Sequence, residues 1–227
     1  VQTRELLIFG AGGFGREVAS WAERAEWEER SFDFSGFIDD AAAGTVLNGW
    51  PVLSLADAAA DHPNAGVLVT VGDPGLRERL VARAAEAGLN ATAPVIHPNV
   101  EYDRDYVHIG DGVVICPGSI LTVNIEVREH AQINLGCTVG HDAVIGAFVT
   151  LSPGVHISGN VTVESHAFFG TGAVTVNGHP GEPLTIGSGA VVGAGAVVTK
   201  DVLSGVTVTG VPARVRGEAT PHADPDA

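Results

Sequence analysis

Read in steps of six from Ile109, the chain places a large apolar side chain at every stop: Ile109, Ile115, Leu121, Val127, Ile133, Val139, Ile145, Leu151, Ile157, Val163 and Phe169. Four residues after each comes Val113, Ser119, Ile125, Ala131, Cys137, Ala143, Val149, Val155, Val161, Ala167 or Ala173, mostly small or aliphatic. A helix repeats every 3.6 residues and a strand every two, and neither keeps one phase of large residues for so long. A fixed period of six identifies a parallel β-helix, in which each hexapeptide supplies one short strand and one turn. The large residue fills the interior, the small one fits a corner, and Gly or Asn takes the turn.

The array begins at Tyr106 and runs to Val176, where Asn177-Gly178-His179-Pro180-Gly181-Glu182-Pro183 breaks it. Gly and Pro at that density predict an exposed loop thrown out from the coil. The period resumes at Ile186, Val192 and Val198 and leads to Gly210-Val211-Pro212-Ala213. The coil domain is therefore expected over 106–217, with 218–227 as a polar, disordered tail.

The segment before the array reads differently. Arg4 to Phe9 is a buried-strand pattern, followed by Gly10-Ala11-Gly12-Gly13-Phe14-Gly15 and a helical stretch expected from Arg16 to about Arg30. This is G-x-G-x-x-G between a strand and a helix, where glycines let backbone approach a phosphate and the helix N-terminus supplies N–H groups. Phe34 to Ile38 predict a second strand ending at Asp39-Asp40, about where a ribose-binding carboxylate is expected. Ser54 caps a short helix through Ala60, and Gly66 to Val71 predict a third strand. Asp73 and Pro74 then open a helix that carries Arg77, Arg79 and Arg83 and ends at Gly88. Alternating strands and helices give a small Rossmann-like βαβ domain over 1–93, joined through 94–105, where Pro94, His97 and Pro98 interrupt both patterns. So short a domain holds only part of a dinucleotide fold. A nucleotide-sugar or similar phosphorylated ligand fits it better than a nicotinamide cofactor, and a purely structural loop is the remaining reading.

Net charge is −15, from 12 Lys+Arg against 27 Asp+Glu, which argues against nucleic acid and anionic membranes as partners. No apolar run approaches about 18 residues, so no segment is expected to span a membrane, and no signal peptide is evident. Cys116 and Cys137 occupy different phases of the repeat, and Cys137 falls at an inward position as a buried free thiol. That suits a reducing compartment and predicts a cytoplasmic protein.

Of 9 His, none has the helical pairing or Cys neighbours of a metal site, so no metal is expected. His108, His130, His156, His166 and His179 lie in or beside turns. His141 sits in a turn that projects from the coil, with Asp142 next to it and Asn134 seven residues back. A carboxylate beside an imidazole fixes its tautomer and stabilises its protonated form, as a general base requires. On the residues alone, catalytic base and surface turn residue both stay open.

Four segments, taken together with the array, narrow the reading: Ile133-Asn-Leu-Gly-Cys-Thr-Val-Gly-His-Asp-Ala-Val-Ile-Gly146, Thr150-Leu-Ser-Pro-Gly-Val-His-Ile-Ser-Gly-Asn160, Gly193-Ala-Gly-Ala-Val-Val-Thr-Lys-Asp201 and Gly210-Val-Pro-Ala213. They resemble the left-handed β-helix acyltransferases. With Ile8-Phe-Gly-Ala-Gly-Gly-Phe-Gly-Arg-Glu17 and Phe37-Ile-Asp-Asp40, the chain to about residue 217 resembles the NeuD/PglD group of sugar acetyltransferases. That resemblance implies a homotrimer with acetyl-CoA as co-substrate in a cleft between neighbouring copies, and no metal. It implies transfer of acetyl to a sugar, a nucleotide-linked amino sugar first, with O-acetylation of sialic acid or another small acceptor as the alternative. A non-enzymatic or metal-dependent β-helix protein is the reading from a different class. The family's catalytic pair falls on His141 and Asp142. Substrate contacts fall on Gly12, Gly13, Phe14, Asp39, Asp40, Gly72 and Asn134. Coenzyme contacts fall on Gly159, Thr171 and Gly193, Ala194, Gly195 and Ala196, with Thr150 where some relatives have His.

Overall fold

The structure, a computed structural model, describes residues 2–27 and 30–219. The N-terminal unit runs β1 (Gln2–Phe9), α1 (Gly13–Ala22), β2 (Glu26–Trp27), β3 (Arg30–Ile38), β4 (Val46–Leu47), β5 (Trp50–Leu53), α2 (Leu55–Asp61), β6 (Gly66–Val69), α3 (Pro74–Glu86) and β7 (Asn90–Ala91). Its sheet has the order β4-β5-β3-β1-β6-β7, with β2 added beside β3. The β5, β3, β1, β6 and β7 neighbours are parallel, and β2 and β4 are antiparallel additions. The two predicted caps form: Ser54 Oγ accepts from the Asp57 amide, and Asp73 Oδ1 accepts from the Leu76 amide at 2.6 Å.

One helix is shorter than the sequence suggests. The stretch expected to reach Arg30 ends at Ala22. Ala25 is fully buried, and the chain turns there through Arg24 N–H to Trp21 O and Ala25 N–H to Ala22 O. It then continues as the edge strand β2. Tertiary burial of Ala25 and pairing with β3 override the good helix formers in this stretch.

From Val95 the chain winds into a parallel β-helix of three faces. Gln132 pairs with Thr150, Thr138 with His156 and Val144 with Thr162, so three hexapeptides complete one turn. We call the faces docking (Val114–Ile115, Gln132–Ile133, Thr150–Leu151, Phe168–Phe169, Val191–Val192), second (Ile120–Leu121, Thr138–Val139, His156–Ile157, Val174–Thr175, Val197–Val198) and third (Val107–Ile109, Ile125–Val127, Val144–Ile145, Val161–Val163, Leu184–Ile186). Val95–Ile96, inside the segment read as a joint, already pair with Val114–Ile115 on the docking face. At the far end Arg214–Glu218 folds back antiparallel on Val206–Thr209, and residues 220–227 of the expected tail lie outside the described residues.

The six-residue period fills the interior as predicted. Ile115, Ile133, Val139, Ile145, Leu151, Val163 and Phe169 are fully buried, as are the corner residues Ala131, Cys137, Ala143, Val149, Val155, Ala167 and Ala173. Each large side chain buried in this way contributes about 1.5–3 kcal/mol. The segment 177–183 leaves the coil as a loop closed by a bridge between His179 and Glu182.

Each edge of the prism has its own left-handed residues. The glycine edge, between docking and second faces, turns at Gly118, Gly136, Gly154, Gly172 and Gly195. The edge between second and third faces turns at Asn124, Asp142 and Asn160, with φ of 54°, 57° and 54°. The edge between third and docking faces turns at His130, Phe148 and His166. Phe148 is an unusual residue for positive φ. Its ring is stacked between those of His130 and His166, at 5.0 and 5.2 Å.

The two units share a core and one buried cation. Val95, Val114 and Cys116 on the outside of the docking face pack with Leu6, Val18, Trp21 and Phe34. Arg77, fully buried on α3, donates to the carbonyls of Val71 and Gly72 in its own unit and of His130, Phe148 and Val149 on the coil. Burial pulls its pKa down to about 9, so at neutral pH it remains a cation facing five carbonyls. Cys116 and Cys137 are both free and buried, and burial raises each thiol pKa. Among the described residues no helix is long and apolar enough to cross a membrane.

Candidate active site

A cleft of about 790 Å³ opens between the glycine loop and the docking face. It brings together all seven positions expected to contact substrate: Gly12, Gly13, Phe14, Asp39, Asp40, Gly72 and Asn134. On one side the helix α1 begins, with Gly12 as its N-cap, so its first N–H groups and positive end meet the cavity. Gly15 lets that helix sit against the sheet, because a Cβ there would overlap the carbonyl of Gly10 and the hydroxyl of Thr70. A helix N-terminus opening on a cavity in this way can take an anion.

The acidic pair divides its tasks. Asp40 accepts from the Leu55 amide at 2.9 Å and pairs with Arg83 at 2.7 Å, and both hold its pKa below the ordinary carboxylate value. Arg83 in turn lies over the ring of Phe9 at 5.9 Å. Asp40 is thus a structural clamp between β3, α2 and α3. Asp39 uses Oδ1 to accept from the amides of Ala41 and Ala42 and lines the cleft.

The coil side of the cleft carries Gln132, Asn134, Thr150, Ser152, Phe168 and Thr171. Gln132 donates to the carbonyl of Val69 at 3.0 Å. Thr150 is almost fully buried, and its one hydroxyl proton goes to Gly72 O at 2.8 Å. The position expected to touch coenzyme therefore spends its donor on joining the two units. Glu17, on the second turn of α1, has a shielded Oε1, and burial raises its pKa.

His141 and Asp142 are not in this cleft. They lie on the edge between second and third faces, whereas the cleft borders the docking face and the glycine edge. His141 Nδ1 is 2.8 Å from Asp142 Oδ2, and both side chains are about half exposed. That bond places the proton of the neutral ring on Nδ1 and leaves the Nε2 lone pair available. The imidazole lies against Gly159, one turn along the coil, where a Cβ would overlap Nε2, Cε1 and Cδ2. Asp142 accepts a second bond from Asn124 Nδ2 at 3.0 Å, and its pKa is lowered first by His141 and then by Asn124.

The expected coenzyme positions split between two edges. Gly159 is on the His141 edge, and Thr171 and Gly193 to Ala196 lie along the glycine edge, on the other side of the second face. The Gly159 amide, which a general-base mechanism would offer to an oxyanion, donates instead to Asn177 Oδ1 at 3.2 Å. Sequence reading did not single out Asn124, Asn177 or Gln132. The turn pattern gives a reason for Asn at 124, but only the fold brings its amide to Asp142.

Residues 5–84 match the family described as the PglD N-terminal domain. Over 210 residues the chain is 37% identical to the GDP-perosamine N-acetyltransferase of Escherichia coli O157:H7, covering 91% of this chain and 94% of that one. WeeI from Acinetobacter baumannii AYE superposes with a TM-score of 0.82 at 40% identity, over 95% of this chain and 100% of that one. PerB from Caulobacter crescentus, solved in complex with CoA and GDP-perosamine, superposes with a TM-score of 0.80 at 30% identity, over 94% and 97%.

Proposed function

Because the chain belongs to the NeuD/PglD-like sugar acetyltransferases of the left-handed β-helix superfamily, we propose that it moves the acetyl group of acetyl-CoA to the amine of a nucleotide-linked amino sugar, with His141 as general base. The observation that carries this reading is the His141–Asp142 pair: a carboxylate on Nδ1 of a half-exposed imidazole whose Nε2 is set against a glycine. The relatives add the substrate class, since one is a GDP-perosamine N-acetyltransferase and another holds CoA and GDP-perosamine.

In this reading residues 1–93 hold the nucleotide and 106–217 carry the chemistry. The diphosphate meets Gly12, Gly13 and the start of α1, and Asp39 is available for the ribose. Gly72, Phe14 and Asn134 surround the sugar. His141 Nε2 takes the amine proton as nitrogen bonds to the thioester carbonyl carbon. The tetrahedral intermediate then expels the CoA sulfur, which leaves with that proton. A C–N bond forms, a C–S bond breaks, and no acyl-enzyme is required. The imidazolium formed midway is stabilised by Asp142.

The split of the site over two edges supports a homotrimer. Within one copy the second face separates His141 from the cleft. Ile120, Val123, Leu135 and Val176, on that face and its two edges, are large apolar residues between 36% and 40% exposed. Burying this stripe against a neighbour's edge would bring His141 of one copy toward the cleft of the next, and the coenzyme positions of both edges to one seam. Thr171 and Gly193 to Ala196 would then line the coenzyme from one copy and Gly159 from the other.

The test is a mass-spectrometric assay of purified protein with acetyl-CoA and amino sugars carried on GDP, UDP or dTDP. One of these should gain a single acetyl group on its amine. Transfer to none of them, with transfer instead to a free sugar hydroxyl, would overturn the proposed acceptor.

A further inference from the structure

The edge that carries His141 turns at Asn124, Asp142 and Asn160, one left-handed residue per turn of the coil. Asn tolerates this backbone well, so the turn alone accounts for the residue type at 124 and 160. It does not account for what the side chains do. Asn124 Nδ2 donates to Asp142 Oδ1 at 3.0 Å, while Asp142 Oδ2 takes His141 Nδ1 at 2.8 Å. Each carboxylate oxygen thus has its own partner, and the carboxylate plane is set from both ends. Asn160, the equivalent residue one turn on, makes no side-chain hydrogen bond among the described residues.

We infer that Asn124 is a positioning residue for the transfer reaction, the third member of a His141–Asp142–Asn124 relay. This rests on His141 being the base. Asp142 is exposed, and a carboxylate bonded at one oxygen only swings about its Cβ–Cγ bond and leaves the imidazole free to turn away from Gly159. The Asn124 amide removes that freedom and keeps Nε2 directed along the seam. The other titratable groups around the Asp142 carboxylate, Asp105, Tyr106, His108 and Glu126, line the same shallow depression and are not hydrogen-bonded to it.

Two substitutions separate this role from that of a turn residue, since both keep the left-handed backbone. Asn124→Gly removes the donor, and Asn124→Asp replaces it with an acceptor that repels Asp142. Both should lower kcat about 3- to 10-fold, the net worth of one typical hydrogen bond. The KM values for acetyl-CoA and for the acceptor should stay put. The acid limb of the kcat profile should move to lower pH in Asn124→Gly, where the carboxylate's hold on the imidazolium weakens. It should move to higher pH in Asn124→Asp, where a second negative charge strengthens that hold. If both variants keep kcat within twofold and leave the profile unmoved, Asn124 is a turn residue only. His141→Ala is measured alongside: an inactive His141→Ala with unaffected Asn124 variants sinks this inference alone, and an active His141→Ala sinks both it and the reading it rests on.

Discussion

His141 and Asn134 belong to the same turn of the coil and stand on different edges of it, with the strand Thr138–Val139 between them. One bears the paired imidazole and the other lines the cleft against the N-terminal unit. In the proposed reading, a single copy therefore presents a base with no acceptor beside it and an acceptor site with no base.

The base itself is tested first. His141→Ala should lose about 10²–10⁴ in kcat with its oligomeric state unchanged, since general-base catalysis is typically worth that much. Asp142→Asn should lose about 10- to 100-fold, the worth of a hydrogen bond to a charged group. The Asp142 pKa is lowered by His141 and Asn124, so the carboxylate is ionised throughout the neutral range and carries its charge there. Without that charge the imidazolium is less favoured, so the acid limb of the pH–rate profile moves to lower pH while the plateau falls. Steady-state kinetics across pH 5–9 or so, a range that brackets an ordinary imidazole, checks both signs.

Gly159 gives the imidazole its place. Its φ lies outside the left-handed region, and the three atoms nearest an added Cβ all belong to the ring of His141. Gly159→Ala should push Nε2 aside and cost on the order of 10²-fold in kcat, as small misplacements of reacting groups do. Thermal melting should show little change.

Arg77 ties the N-terminal unit to the coil. Arg77→Met would strand the carbonyls of Val71, His130 and Phe148, while Gly72 O keeps the Thr150 hydroxyl and Val149 O keeps the Gln132 amide. A loss of about 3 kcal/mol or more is expected, because each stranded acceptor costs about 1–3 kcal/mol. Gly72 lies in the cleft floor, so the KM for the nucleotide-sugar should rise more than that for acetyl-CoA. Denaturant unfolding and paired KM measurements check this.

Much of the coil was legible because its period is set by geometry that admits few exceptions. An interior position takes a large apolar side chain, and the glycine edge takes residues with φ of 63–75°. Phe148 was not legible as a left-handed corner. Its conformation is held by rings of His130 and His166 that are distant in sequence and adjacent only once the turns stack. The use of Thr150 was hidden for the same reason, since its acceptor, Gly72 O, belongs to the other unit. The early end of α1 follows from burial of Ala25, which local propensity does not register. The Gly-rich loop and Asp73 cap were readable because each acts within a few residues of itself.

Co-expression of His141→Ala with Gly13→Glu, a variant that sets a carboxylate in the proposed phosphate site, tests the account most directly. Each should be inactive alone. Mixed at random in equal amounts, independent contributions of a cleft from one copy and a base from its neighbour leave about a quarter of the sites whole, so about a quarter of wild-type activity should return. If the mixture is no more active than either parent while mixed trimers form, the base and the cleft do not meet between copies, and the proposed site is wrong.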